Sequence, residues 1–164
     1  VTEYGAYLGI SKTGLNCKRL TIDGVRVTSY GFDQALDSLH LLNGGSLIGK
    51  GAVIGELILQ GSKSEATFGA YLSIDRLLIR NSGLCSISGI KELFVKSHFS
   101  VNDGTYFYFH GDFNLPDEIE ISNESNVSAN NWIKNGQILD TAESKRLGLT
   151  ICGPVRNYPS CEVD

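Results

Sequence analysis

Methionine is absent from the 164 residues, tryptophan occurs once and proline three times. Without a methionine Val1 is not a translation start, and the chain reads as a processed or excised piece from which an export signal could have been cut. Basic charge is scarce as well: 14 Lys and Arg face 18 Asp and Glu, for a net charge of −4. General nucleic-acid binding runs on cations that neutralise phosphates, so no nucleic-acid partner is expected. No apolar run approaches the roughly 18 residues that cross a bilayer, so no membrane span is expected either. G-x-S-x-G, G-x-G-x-x-G and P-loop patterns are missing, and with them any expectation of a cofactor. His40, His98 and His110 are scattered and no C-x₂-C pair occurs, so no metal site is expected.

What the chain has is turn-forming material: 19 glycines, 17 serines and 11 asparagines. Long helices are disfavoured by that composition. With 41% hydrophobic and 20% charged residues, the chain has the makings of one globular domain over residues 1–164.

One unit recurs along it: an apolar residue, two mostly polar ones, then apolar, any, apolar. The copies are Cys17 to Ile22, Leu36 to Leu41, Ile54 to Leu59, Ile74 to Ile79, Ile90 to Val95 and, less closely, Pro116 to Ile121. Their anchors are Leu20, Leu39, Leu57, Leu77, Leu93 and Ile119, and the steps between anchors are 19, 18, 20, 16 and 26 residues. A strand-helix-strand unit needs about 30 residues, so the period fits a narrow coil. Two places after each unit stand Gly24, Asn43, Gly61, Asn81, Ser97 and Asn123. Five of these six are the residue types that enter the left-handed region at least cost, which implies a fixed turn. Second strands follow the turns: VRVTSY after Gly24, SLIGKGAVI after Gly45, ATFGAYLSI after Ser64 and LCSISGI after Gly83.

A short strand, a left-handed turn and a second strand make one rung of a solenoid. Rungs stacked at about 4.8 Å pair every backbone group above and below and line the interior with Leu, Ile and Val. The expected fold is therefore all-β: a parallel β-helix of about six short rungs over residues 17–125, closed by a cap over 126–164. Within the cap, Asp140 and Glu143 fit a capping box, Ala142 to Leu147 favours helix and Gly148 fits its stop. The echo of Phe68 to Asp75 in Tyr4 to Ser11 suggests that the coil starts at the amino end. An antiparallel sandwich or barrel and a leucine-rich repeat compete. In the latter, however, asparagine falls three places after the last leucine rather than two.

In coil length and in this Asn/Gly turn ladder, the chain resembles the right-handed parallel β-helices of filamentous-haemagglutinin-like bacterial surface proteins and phage tailspikes. The resemblance covers roughly Cys17 to Ser125 and implies an extracellular or cell-surface stalk or adhesin, not an enzyme. Its partner would be a glycan or a host protein, and a homo-oligomer would suit a stalk. The tailspike side implies the alternative, polysaccharide cleavage by outer-face carboxylates, for which Asp103, Asp112, Asp117 and Glu118 lie close in sequence.

The long step after Leu93 reads as an inserted side loop, and such loops carry binding. It holds His98, Phe99, Tyr106, Phe107, Tyr108, Phe109, His110 and Phe113. The expected ligand-binding residues are Tyr106, Tyr108, His98 and His110, with one aromatic stripe outside and the other in the core. His40 and His98 otherwise read as solvated. Within FHGDFNLPD, Gly111 to Asn114 resembles a motif of the endonuclease/exonuclease/phosphatase family, with Asp112 and Asn114 as its catalytic pair. The Asp-His dipeptide of that family is missing, which favours a β-turn over a metal-dependent phosphodiesterase. Cys152 and Cys161, flanking Gly-Pro and Tyr-Pro turn material, could close a small disulfide loop. Cys17 and Cys85 sit in apolar patterns and read as reduced, buried thiols.

Overall fold

The computed structural model describes residues 7–10, 17–29, 35–49, 53–61, 63–68, 72–80 and 83–152. Among these the strands run β1 (Tyr7–Ile10), β2 (Arg19–Asp23), β3 (Arg26–Ser29), β4 (Leu36–Leu42), β5 (Ser46–Gly49), β6 (Val53–Gln60) and β7 (Glu65–Phe68). They continue as β8 (Leu72–Arg80), β9 (Leu84–Ser88), β10 (Glu92–Val101), β11 (Tyr106–Asn114), β12 (Glu118–Ile121), β13 (Asn126–Lys134) and β14 (Gln137–Ile138). Helix α1 (Thr141–Arg146) and β15 (Leu149–Ile151) end the described chain.

Pairing is parallel throughout except for the hairpin of β13 with β14, and apart from that hairpin strands pair from one coil to the next. This is a parallel β-solenoid of about six turns. Among the described residues the strands lie on three faces. Face A stacks β1, β3, β5, β7, β9, the first half of β11, the first half of β13 and β15. Face C stacks β2, the later parts of β4, β6, β8 and β10, and then β12. Between them a shorter face B joins the start of β8 to the start of β10, then to the ends of β11 and β13. Only two strands per coil are expected from the sequence. The third is short and continuous with a neighbour, so it carries no turn signal of its own.

Alternation sets which residues enter the core. On face C the inward column is Leu20, Leu39, Leu57, Leu77, Phe99 and Ile119, beside a second column of Ile22, Leu41, Leu59, Ile79, Val101 and Ile121. Leu93 is therefore not an anchor of this column. It lies on face B between Leu72 and Phe113, and Phe99 takes the place in the column. The steps become 20 residues from Leu57 to Leu77, 22 to Phe99 and 20 to Ile119. No inserted side loop exists; the apparent gap came from reading a face B strand as a face C strand.

The corrected column also restores the turn ladder. Gly24, Asn43, Gly61 and Asp103 each stand four residues after their anchor, and all have φ between 50° and 89°. Asp103 thus replaces Ser97 in the ladder. Ser97 and Asn123 are not in the left-handed region, and Asn81 lies outside the described residues. At Gly61 the requirement is steric as well, because a Cβ would come within 2.8 Å of the Asn43 backbone of the coil below.

The core changes character along the axis. Its amino-terminal coils are filled mainly by Leu, Ile and Val, with Phe68 buried on β7, whereas Phe99, Phe107, Phe109, Phe113 and Trp132 cluster in the later ones, all essentially inaccessible. Phe113 is the hub, with ring centroids 4.8 Å from Phe99, 5.0 Å from Trp132 and 5.8 Å from Phe109. The Trp132 indole donates to the Thr150 carbonyl at 2.8 Å, which removes the cost of burying its N–H. Beyond β13, Asn135 and Gly136, both with positive φ, form the two-residue turn into β14. Asp140 accepts from the Glu143 backbone at 2.8 Å while Glu143 accepts from the Asp140 backbone at 3.2 Å, the expected capping box. The helix then ends at Gly148, at φ 76°, which packs against Ile121, the last inward residue of face C.

Phe99→Ala should cost about 3 to 5 kcal/mol of unfolding free energy in urea titration, the penalty of a large core cavity. A loss below about 1 kcal/mol would show that Phe99 is not in the face C column.

Candidate functional site

Strand β11 alternates strictly over its first half: Phe107 and Phe109 point inward, while Tyr106, Tyr108 and His110 point outward. A register shift between Phe109 and Asp112 then bends the chain from face A to face B. Gly111 stands at that bend, where a Cβ would lie 2.3 Å from the Lys91 carbonyl oxygen. The Gly111 to Asn114 segment is thus strand, not the expected β-turn.

Three of the four expected ligand-binding residues share one surface. Tyr106 is 57% exposed and stands in register with Leu84, itself 61% exposed, with Asn126 on its other side. The Tyr108 hydroxyl and His110 Nδ1 are 2.6 Å apart, and their rings lie 5.9 Å apart. When Nδ1 carries no proton, the phenol donates to it. Partial burial raises the Tyr108 pKa above the ordinary phenol value. Ser86 and Ser128 flank Tyr108 above and below.

His98 does not join them. It lies on the outer side of face C, its side chain 14% exposed and its Nδ1 3.3 Å from a Glu118 carboxylate oxygen. The solvated reading of His98 is therefore overturned, and His40 too is engaged: its Nε2 lies 3.2 Å from Glu56, which also meets Arg76 at 3.5 Å. Glu56 with Arg76 and His98 with Glu118 are twenty residues apart and stacked in register, while His40 reaches Glu56 diagonally from the adjacent coil; the signal is visible in the sequence only once the correct anchors are known.

The four carboxylates singled out as glycosidase candidates do not converge. Asp103 is at the corner before face A, Asp112 on face B, and Asp117 and Glu118 at the entry to face C. Asp112 accepts from Asn131 at 2.7 Å, whereas Asn114 donates to Glu92 at 3.4 Å, so the supposed pair of Asp112 and Asn114 is split between different neighbours. Glu92 does stand in register with Asp112. Among the described residues no three His, Cys, Asp or Glu gather as a metal would need.

Cys85 is buried in the core, its Sγ 3.8 Å from the Gly61 carbonyl. Cys17 is partly covered, not in a disulfide, and desolvation raises its pKa, which disfavours the nucleophilic thiolate. Cys152 is buried; the pairing expected with Cys161 falls outside the described residues.

Sequence reasoning missed a groove of about 720 Å³ that runs along the corner entering face A. Its walls include Arg26, Ser46, Lys63, Glu65, Leu84 and Ser86, and Leu84 joins it to Tyr106. No periodic signal marks it, because it is formed by residues of four different coils.

The chain matches no protein-family model, no curated protein and no solved structure.

Because the folded state holds the Tyr108 proton more tightly than the unfolded state does, stability should fall as pH rises through and above the ordinary phenol range. In alkaline ultraviolet titration, the phenolate absorbance lost in Tyr108→Phe should belong to a step above pH ~10; a lost step below it would contradict the burial argument.

Proposed function

We propose that this protein is a rigid extracellular or cell-surface β-solenoid module, a stalk or adhesin that binds glycan through the outer side of face A. One observation carries the reading: Tyr106 and Leu84, stacked in register, put two largely exposed apolar side chains beside a groove to which Ser86 adds a partly exposed hydroxyl. Tyrosine rings stack on the apolar faces of sugars, while nearby hydroxyls and amides take up the sugar hydroxyls. The solenoid holds these groups on strands paired on both edges, so little conformational entropy is lost on binding.

Polysaccharide cleavage is the second reading, and one fact favours it. Glu92 and Asp112 sit one coil apart, and the ~4.8 Å coil spacing approaches the ~5 Å between the carboxylates of a retaining glycosidase. The asparagine partners of both carboxylates supply the competing, purely structural account.

On a glycan array followed by titration, Tyr106→Ala should weaken binding about tenfold with an unchanged melting temperature, as for an exposed hot-spot residue. Equal affinity in the variant would remove the aromatic surface from the site. If the cleavage reading holds instead, reducing ends should accumulate in a polysaccharide digest and vanish with Asp112→Asn. For localisation, intact mass before and after reduction should differ by one disulfide, Cys152 to Cys161, as oxidising compartments allow.

A further inference from the structure

We propose that the groove beside face A takes a polysaccharide bearing anionic groups, laid along the solenoid axis with Tyr106 at one end of its path. The inference rests on the glycan-binding reading and adds the charge and direction of the ligand.

The groove crosses successive coils, with Arg26, Ser46, Lys63 and Glu65, and then Leu84 and Ser86, on its walls. Strands β3, β5, β7 and β9 are each hydrogen-bonded on both sides, so the groove has no free edge at which a peptide could add as a further strand. It offers instead side chains repeated at the ~4.8 Å coil spacing, a ladder suited to a polymer lying across the strands. Arg26 and Lys63 have no carboxylate within salt-bridge distance among the described residues, whereas Arg76 on face C is paired with Glu56. Glu65 is the only carboxylate among the described lining residues, so the walls carry a net positive charge in a chain of net charge −4.

The backbone supplies an independent observation. Lys63 adopts φ 66°, a conformation that glycine enters freely and an L side chain enters at a cost. Such outliers concentrate where the side chain is needed in place, and here the strained residue is one of those that line the groove.

The test measures the affinity of the full chain for polygalacturonate, dextran sulfate, neutral dextran and a single-stranded polynucleotide. Both acidic polysaccharides should bind, less tightly as salt rises, and the double variant Arg26→Gln/Lys63→Gln should lose about tenfold for them. The two acidic arms separate carboxylate from sulfate preference. Lys63→Gly should raise the melting temperature by about 2–4 °C and still weaken acidic-polymer binding. Neutral dextran binding as well as the acidic polymers, with the double variant unaffected, would overturn the charge assignment and leave the Tyr106 reading intact. Absence of all polysaccharide binding would overturn both, and tighter binding of the polynucleotide would overturn the choice of polymer.

Discussion

Parallel pairing in register, one coil over the next, is the constraint from which the rest of this structure follows. Each inward side chain on face C has a vertical neighbour about twenty residues ahead, as Leu39 has Leu57 and Leu57 has Leu77. A slip of one residue would turn a whole inward column to solvent, so the register is held by every buried leucine at once. Coil length is not held so tightly. Coils differ by a few residues, and the excess is absorbed at corners and bends, as between Val95 and His98 or between Phe109 and Asp112. Where coils approach most closely, only a hydrogen fits: a Cβ at Gly55 would lie 2.1 Å from the Asp37 carbonyl oxygen.

The ends of such a stack are its weak points, because the last strands offer unpaired edges. At the carboxyl end β13, β14, α1 and β15 bring the chain from face B back to face A without a further face C strand. Helix α1 therefore occupies, in chain order, the place of that strand, and Gly148 reaches the end of the face C column at Ile121. The pairing of β12 is confined to β10, and its outward residues are Glu118 and Glu120, charges that discourage edge-to-edge association. The aromatic cluster around Phe113 lies in these same late coils, so the largest buried side chains support the end that the cap must close.

Legibility from sequence followed the strength of the local signal. Leu20, Leu39, Leu57 and Leu77 were readable because leucine recurred with a glycine or asparagine at a fixed distance. The fifth anchor is masked because Ile90 to Val95 satisfies the same apolar pattern, while the true anchor, Phe99, precedes a serine and a valine. Asp103, two places beyond that valine, is a poorer left-handed residue than Gly or Asn and did not advertise the corner. The helical cap was legible down to its capping box, since Asp140, Glu143 and Gly148 act within one short segment. Long-range properties were not legible: the Glu56 pairs with His40 and Arg76, the bond of His98 to Glu118, and the groove all depend on register between coils.

That register also favours the proposed recognition on face A over face C. The outer side of face C satisfies itself, with Glu56 between His40 and Arg76 and Glu118 against His98. A ligand there would have to displace side-chain contacts already made, and the gain would be small. The outer side of face A offers the opposite situation: a tyrosine and a leucine exposed in register, two cations without carboxylate partners among the described residues, and a concave wall of small residues. Contacts there replace water instead of protein partners. Because each coil adds its own outward residues at a fixed rise, the proposed polymer lying along the axis would engage several coils with one orientation, and the rigidity that stabilises the interior would then serve binding outside it.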